Sequence, residues 1–179
     1  MHRIGVFLSA NDGLSESFRT AAEQLGRWIG RTGRTLVFGG SSKGLMEVLA
    51  ASAKAEGGHV VGVVPRVLEE RGWVSGHLDE CIATQGLADR KQALIDASDV
   101  LVCLPGGVGT LDEMFTALGD AAIGMQAKPV ILYNVDGCWN SLLRFLSDLH
   151  SRRLLRTTVE DFVRVAASFE ELTALLGAE

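Results

Sequence analysis

Hydrophobic positions follow two alternating patterns along this chain. Short, nearly continuous apolar runs predict β-strands, and the longer segments between them, in which apolar residues recur every three or four positions, predict helices. The predicted strands are residues 3–8, 35–38, 59–64, 80–84, 100–104, 128–133 and 162–165. The predicted helices are residues 14–29, 45–53, 89–97, 110–127 and 139–149, with a terminal helix introduced by a capping box of Ser168 and Glu171. Residues 65–77 show neither pattern and predict irregular structure.

The order of these elements predicts an α/β fold. Residues 100–104, with the sequence VLVCL, are apolar on both faces, as is typical of a parallel strand covered by helices on each side. Strands that alternate with helices through short connections indicate a Rossmann-like, doubly wound parallel sheet with helices on both faces. Residues 1–179 are enough to form a single domain with its own core, and ligands are expected at the carboxyl ends of the strands.

A glycine-rich motif, PGGVGTLDE, occupies residues 105–113 between a predicted strand and a predicted helix. Its glycines let a ligand approach the main chain closely, and a helix that starts near Thr110 presents unpaired N–H groups to an anion such as phosphate. Glu113 shares a helical face with Thr110 and leans back toward the helix start. Since like charges repel, Glu113 is expected to face the sugar of a nucleotide rather than its phosphate. The alternative is a tight turn with a solvated glutamate.

Neither glycine-rich segment of this chain matches a common nucleotide-binding signature completely. Residues 39–44, GGSSKG, have the spacing of a P-loop, but Leu45 stands where the P-loop lysine would reach the outer phosphates. This segment is therefore either a wall of the ligand site or a helix-entry loop. Gly107 and Gly109 begin like a dinucleotide fingerprint, but Asp112 stands in place of the third glycine. The sequence favours a mononucleotide.

A pair of cations, Arg90 and Lys91, begins the helix before the strand that delivers the glycine-rich motif. The guanidinium of arginine is a planar fork of donors that suits phosphate or ribose oxygens and stays protonated at physiological pH. Arg90 is therefore expected to orient and stabilise a ligand rather than to transfer protons. The alternative is that the pair is solvated, as charged residues at helix starts usually are.

Composition and charge limit the classes of partner that this protein is expected to bind. The net charge is -5 and no run of Lys or Arg occurs, which argues against binding to DNA or RNA polymers. No apolar stretch reaches the roughly 18 residues of a membrane helix, and the chain starts directly with a strand, which predicts a cytoplasmic protein that does not bind membranes. Cys81, Cys103 and Cys138 lack metal-ligand spacing and are expected to be reduced and structural. His59 and His77 lack spaced partners, so no metal site is predicted.

These residues together resemble a known family. The segments LVFGGSSKGLM, the Arg90–Lys91 pair, PGGVGTLDE and VDGCWNSLL are similar to those of the Lonely Guy (LOG) family, the cytokinin riboside 5'-monophosphate phosphoribohydrolases. The similarity runs from about Ile4 to about Leu155, and the PGGxGTxxE motif matches completely. An older label of this family is lysine decarboxylase, but the sequence of this chain does not indicate a lysine that would bind a pyridoxal cofactor.

The resemblance implies an activity and a site. It implies hydrolysis of the bond between an adenine-type base and ribose 5-phosphate by a homodimer without metal or other cofactor, with Arg90 and Glu113 as catalytic residues. A glutamate from the loop after the third strand belongs to the family's substrate site, and Glu70 is the residue of this chain that fits it. The expected substrate-binding residues are Gly39, Gly40, Ser41, Glu70, Lys91, Gly106, Gly107, Val108, Gly109, Thr110 and Asp112.

Several positions depart from the family pattern. Leu87 and Ala88 replace a Met-His pair, Ser41 and Glu47 replace glycines, and residues 8–11, LSAN, replace the family's Cys-Gly-Ser-Ser turn. These changes fall around the expected base pocket and leave three readings open. The protein is a hydrolase of cytokinin-type monophosphates, a broader hydrolase that prefers AMP or another monophosphate, or a nucleotide-binding carrier that uses the pocket without chemistry.

Overall fold

One seven-stranded sheet organises the chain. The computed structural model describes residues 2–155 and 158–177. All strand pairs in this sheet are parallel, and the spatial order is β4-β3-β2-β1-β5-β6-β7. The strands are β1 Arg3–Phe7, β2 Thr35–Phe38, β3 His59–Pro65, β4 Glu80–Thr84, β5 Val100–Cys103, β6 Val130–Tyr133 and β7 Val163–Ala166.

Helices cover both faces of this sheet. The helices are α1 Glu16–Arg31, α2 Gly44–Ala55, α3 Arg66–Glu70, α4 Leu87–Asp96, α5 Val108–Ala122, α6 Asn140–Ser151, α7 Val159–Phe162 and α8 Phe169–Gly177, with a short 3₁₀ helix at Val135–Gly137. Alternate residues of β5 point to opposite faces, so that Val100 and Val102 join the core beneath α1, α2 and α8, whereas Leu101 and Cys103 join the core beneath α4, α5 and α6. The predicted doubly wound α/β fold is therefore confirmed.

The strand order places a crevice beside β1. Ile4 of β1 pairs with Leu36 of β2 on one side and with Val100 of β5 on the other, and the chain winds outward from β1 in both directions. At such a switch point the loops that leave the two neighbouring strands diverge, and ligands bind between them in open α/β sheets. The loops after β1 and β5 are therefore the ones that position a site.

Several local predictions differ from the structure. The segment predicted as irregular contains the five-residue helix α3. The helix that contains Glu113 begins at Val108 rather than near Thr110, and it ends at Ala122 rather than at residue 127. Its end is set by Gly124, which has a left-handed φ of 75°, and by the N–H of Met125, which bonds to the carbonyl of Asp120. At the start of α8, the N–H of Glu171 donates to Oγ of Ser168 at 3.2 Å, as the predicted capping box requires, but the Glu171 carboxylate accepts from the N–H of Ala167 instead of that of Ser168.

Candidate functional site

The start of α5 presents unpaired N–H groups at the crevice. The glycine-rich motif leaves β5, and helical conformation begins at Val108 directly after Gly107. The N–H groups of Val108, Gly109 and Thr110 have no carbonyl partner within the helix, whereas the N–H of Leu111 already bonds to the carbonyl of Gly107. The free N–H groups and the positive end of the helix dipole both favour a negatively charged ligand at this point.

Gly106 allows the chain to turn into α5. A Cβ atom at Gly106 would lie 2.0 Å from Oγ1 and 2.5 Å from Cβ of Thr110, whose side chain is buried. Any larger residue would therefore push Thr110 out of its place on the first turn of the helix. Gly107, in contrast, has open space around its Cα.

Arg90 and Glu113 form a buried ion pair beneath the start of α5. Nη1 of Arg90 donates to Oε1 of Glu113 at 3.1 Å, and only 9% of Arg90 and 5% of Glu113 is exposed. Arg90 also donates from Nη2 to the carbonyl of Gly39 at 3.0 Å and from Nε to the carbonyl of Val63 at 3.1 Å. The guanidinium is thus fixed by the ends of β2 and β3, and it holds the carboxylate from α5 in place.

The environment of Glu113 changes its ionisation. Burial raises the pKa of Glu113 from an ordinary value of 4.5 to about 7. The positive charges of Arg90 and, more weakly, Lys91 oppose this rise in pKa, whereas the negative charge of Asp112 adds to it. Near neutral pH the carboxyl group therefore exchanges its proton readily, which is a property of general acid–base groups.

A cavity of about 290 Å³ brings these parts together. Its walls are residues 8–11 from the loop after β1, residues 107–110 from the start of α5, and the side chains of Met46, Arg90 and Glu113. The unpaired N–H groups at the start of α5 and the carboxyl group of Glu113 therefore face one space. A ligand with a phosphate at one end and a sugar next to it matches this arrangement.

The other predicted site residues lie around this cavity rather than on its wall. Gly39 stands behind Arg90, and a Cβ there would lie 1.8 Å from Nη2 of Arg90. Ser41 is buried and forms a bridge with Val74, and the N–H of Ser75 bonds to the carbonyl of Gly40. These contacts make residues 39–41 a support for the guanidinium.

Lys91, Asp112 and Glu70 have protein partners of their own. Nζ of Lys91 lies 2.7 Å from Oδ1 of Asp112, so this pair links α4 to α5 beside the cavity. Glu70 is on α3, is exposed, and pairs with Arg66 at 2.9 Å. None of the three is part of the cavity wall.

Met46 lines the cavity although the sequence pattern does not predict it as a site residue. Its place in a helical apolar pattern is typical of a core residue, and it does join the core. Two facts in the sequence bear on it: it follows the glycine loop after β2, and it lies in the first turn of the next helix. The turn at residues 8–11, noted as a departure from the family pattern, does line the pocket.

The fold and the site together define a Rossmann-type α/β protein with a crevice at the carboxyl edge of its sheet, where proteins of this class bind nucleotides. The chain belongs to the Lonely Guy family: residues 46–176 match the family model described as "Possible lysine decarboxylase". It is 34% identical over 98% of its length to a probable cytokinin riboside 5'-monophosphate phosphoribohydrolase of Oryza sativa subsp. japonica, covering 70% of that protein.

A second plant protein and a solved bacterial structure are also similar to this chain. The chain is 34% identical over 97% of its length to a cytokinin riboside 5'-monophosphate phosphoribohydrolase of Arabidopsis thaliana, and it covers 81% of that protein. Among solved structures, a molybdenum cofactor binding protein from the phototrophic bacterium Rippkaea orientalis superposes with a TM-score of 0.72 at 30% identity, over 98% of this chain and 94% of the other. The described helices include none of the length and apolarity that crossing a bilayer requires.

Proposed function

We propose that this protein is a nucleoside 5'-monophosphate phosphoribohydrolase. It cleaves the N-glycosidic bond of an adenine-type nucleoside 5'-monophosphate, a cytokinin riboside 5'-monophosphate or AMP, and releases the free base and ribose 5-phosphate. The observation that carries the proposal is the buried Arg90–Glu113 pair, which faces the same cavity as the free N–H groups of α5. The named activity of the plant relatives supports it.

The phosphate end of the substrate sets its position. When the phosphate binds the N–H groups of Val108, Gly109 and Thr110, the adjoining ribose extends along the first turns of α5 toward Glu113. Fixing both ends of the sugar in this way lowers the entropic part of the barrier. The other residues named from the family resemblance support this binding from outside the cavity wall.

The carboxylate of Glu113 acts on the sugar. As the bond from the anomeric carbon to the base nitrogen breaks, its electron pair leaves with the base, and positive charge develops on the anomeric carbon and the ring oxygen. The ionised form of Glu113 stabilises this charge and orients the attacking water. The water oxygen bonds to the anomeric carbon, and the water proton ends on the base. With a pKa of about 7, Glu113 is suited to relay that proton.

Arg90 serves this step mainly by fixing the carboxylate. One N–H from each of its three nitrogens already bonds to Glu113, Gly39 or Val63. A guanidinium has five N–H donors, so two remain for a ligand. Most of the hydrogen bonding of Arg90, which the sequence predicts to orient and stabilise a ligand, is therefore made within the protein.

We further propose that the protein works as a homodimer in the cytoplasm and that residues 1–179 form one nucleotide-binding domain. The second half of α5 and its surroundings expose the large apolar side chains of Phe115, Ile123, Met125 and Leu154, which suits burial against a second copy. The free state of all three cysteines suits a reducing compartment.

A second function is a carrier that binds a nucleotide or related phosphate compound without cleaving it. The similarity to the molybdenum cofactor binding protein supports this alternative. A carrier needs the anion-binding start of α5 but has no use for a buried carboxyl group with a raised pKa. The Arg90–Glu113 pair therefore favours the hydrolase.

One assay separates the two functions. The purified protein is incubated with AMP and with N6-isopentenyladenosine 5'-monophosphate, and free base and ribose 5-phosphate are measured. We expect release from at least one substrate, and we expect Glu113→Gln to lower kcat by about 100-fold or more because the charge that stabilises the transition state is lost. Glutamine has the size of glutamate and still accepts a hydrogen bond from Arg90, so the variant stays folded.

The matched control is Glu69→Gln, which removes an exposed carboxylate on α3 outside the cavity. This variant is expected to keep the wild-type rate. Binding of either nucleotide without any release of base would favour the carrier, and a wild-type rate in Glu113→Gln would refute the assigned role of Glu113.

A further inference from the structure

The first turn of α2 is docked against the loop after β1. Gly44 has a left-handed φ of 52°, and a Cβ there would lie 2.4 Å from the carbonyl oxygen of Asn11. The N–H of Leu45 donates to the carbonyl of Ser9 at 3.1 Å. These contacts use N–H groups that a helix start otherwise offers to a ligand, and they bring Met46 to the cavity wall.

Met46 packs beside the Arg90 guanidinium. One point next to Gly39, where a Cβ would stand, lies 1.8 Å from Nη2 of Arg90 and 3.3 Å from Cε of Met46. The Met46 side chain is almost fully buried at 7% exposure, yet it reaches the cavity together with Arg90 and Glu113. Its thioether methyl therefore lies close to the guanidinium, on the side that faces the cavity.

We propose that Met46 is a positioning residue of this site: its side chain keeps water away from the Arg90–Glu113 pair and provides an apolar surface beside the bound sugar. The contact with the sugar rests on the proposed function, whereas the exclusion of water does not. Exclusion of water strengthens the electrostatic interactions within a site because it lowers the local dielectric constant. An unbranched thioether suits this role because it fills an irregular gap without polar atoms that compete for the pair.

Other charged or titratable groups also face Glu113. Arg90 and Lys91 face it from α4, Asp112 from its own helix, and the buried thiol of Cys103 from β5. Substitution of Met46 changes none of these groups, so a change in the titration of Glu113 in such a variant reports on solvation or on the position of Arg90.

The test compares four variants by the titration of Glu113. Protein with carbon-13 in its glutamate carboxyl groups is titrated by NMR, and the Glu113 signal is assigned by its loss in Glu113→Gln. We expect Met46→Ala to lower the midpoint by about one pH unit or more, because water then solvates the carboxylate. Met46→Gln is expected to lower it too, since its amide hydrogen-bonds the pair, and Met46→Leu is expected to keep it near the wild-type value.

Met114→Ala is the matched control, because Met114 is a buried methionine of the opposite core cluster and does not line the cavity. It loses stability but is expected to keep the midpoint. In the hydrolysis assay, the acid limb of the pH profile of kcat/KM is expected to move with the midpoint. Unchanged midpoints in both Met46→Ala and Met46→Gln would overturn the role of Met46. A wild-type protein that releases no base would overturn the proposed function instead.

Discussion

Glu113 couples the ionisation of one side chain to the stability of the fold. Its carboxyl group is buried in the folded protein, where its pKa is about 7, whereas in the unfolded chain its pKa returns to near 4.5. Between these two pH values the folded state binds more protons than the unfolded state. The unfolding free energy therefore falls as pH rises through this window, because the stability from this group is complete below the lower value and lost above the upper one.

Glu113→Gln removes this titration, which gives a test of the buried carboxyl. As pH rises from 5 to 8, wild-type protein is expected to lose about 2.5 kcal/mol relative to the variant, which is most of the free energy equivalent to the full shift in pKa. Urea unfolding of both proteins at the two pH values measures the change. Since all other titrating groups are shared, they cancel in the comparison. If the difference between the two proteins is the same at both pH values, Glu113 ionises as easily in the folded state as in the unfolded one.

At the scale of elements, the start of α5 depends on the missing side chain of Gly106. An added methyl group would overlap the side chain of Thr110, which is buried, β-branched and stiff. The first turn of α5 would then have to shift, and with it the N–H groups assigned to the phosphate.

Gly106→Ala is accordingly expected to lower the unfolding free energy by about 1–3 kcal/mol, the usual range for overpacking. The control is Gly107→Ala, in which the new methyl group meets open space, and we expect the stability of this variant to stay close to that of wild type. Urea unfolding at one pH measures both. Equal loss in the two variants would show that glycine at position 106 is not required by the contact with Thr110.

At the scale of the whole molecule, a group of large apolar side chains is exposed around α5. Phe115, Ile123 and Met125 are exposed on or just after α5, and a largely apolar hollow of about 210 Å³ lies beside Phe115 and Leu146. Homodimers commonly bury apolar side chains of this kind at their interface.

The proposed dimer is tested by molar mass in solution, measured by size-exclusion chromatography with light scattering. Wild-type protein is expected to have the mass of two chains, and Phe115→Glu is expected to dissociate into monomers because a charge cannot be buried there without a partner. Val67→Glu is the control: Val67 and Phe115 are both 41% exposed, but Val67 lies on α3. A monomeric wild type at micromolar concentration would contradict the proposed homodimer.

The fold and the centre of the site were predictable from local patterns. Parallel strands covered on both faces are apolar throughout, so the sequence VLVCL at 100–104 predicted a strand buried between two layers of helices. The glycines of the motif, together with Thr110 and Glu113, predicted a helix start with a carboxyl group on the side expected to face a ligand. The five-residue α3 was missed because so short a helix leaves no periodic pattern, and the early end of α5 depends on the left-handed conformation of Gly124.

What the sequence by itself determined is the order of strands and helices and the chemistry of the glycine-rich motif, because both depend on residues that are neighbours in the chain. Only the tertiary structure decided that Arg90 is buried against Glu113 and the carbonyls of Gly39 and Val63, and that Met46 closes the cavity beside it. These groups come from five different segments. Their distances, and the loss of solvent that raises the pKa of Glu113, exist only once the sheet has brought those segments to one edge.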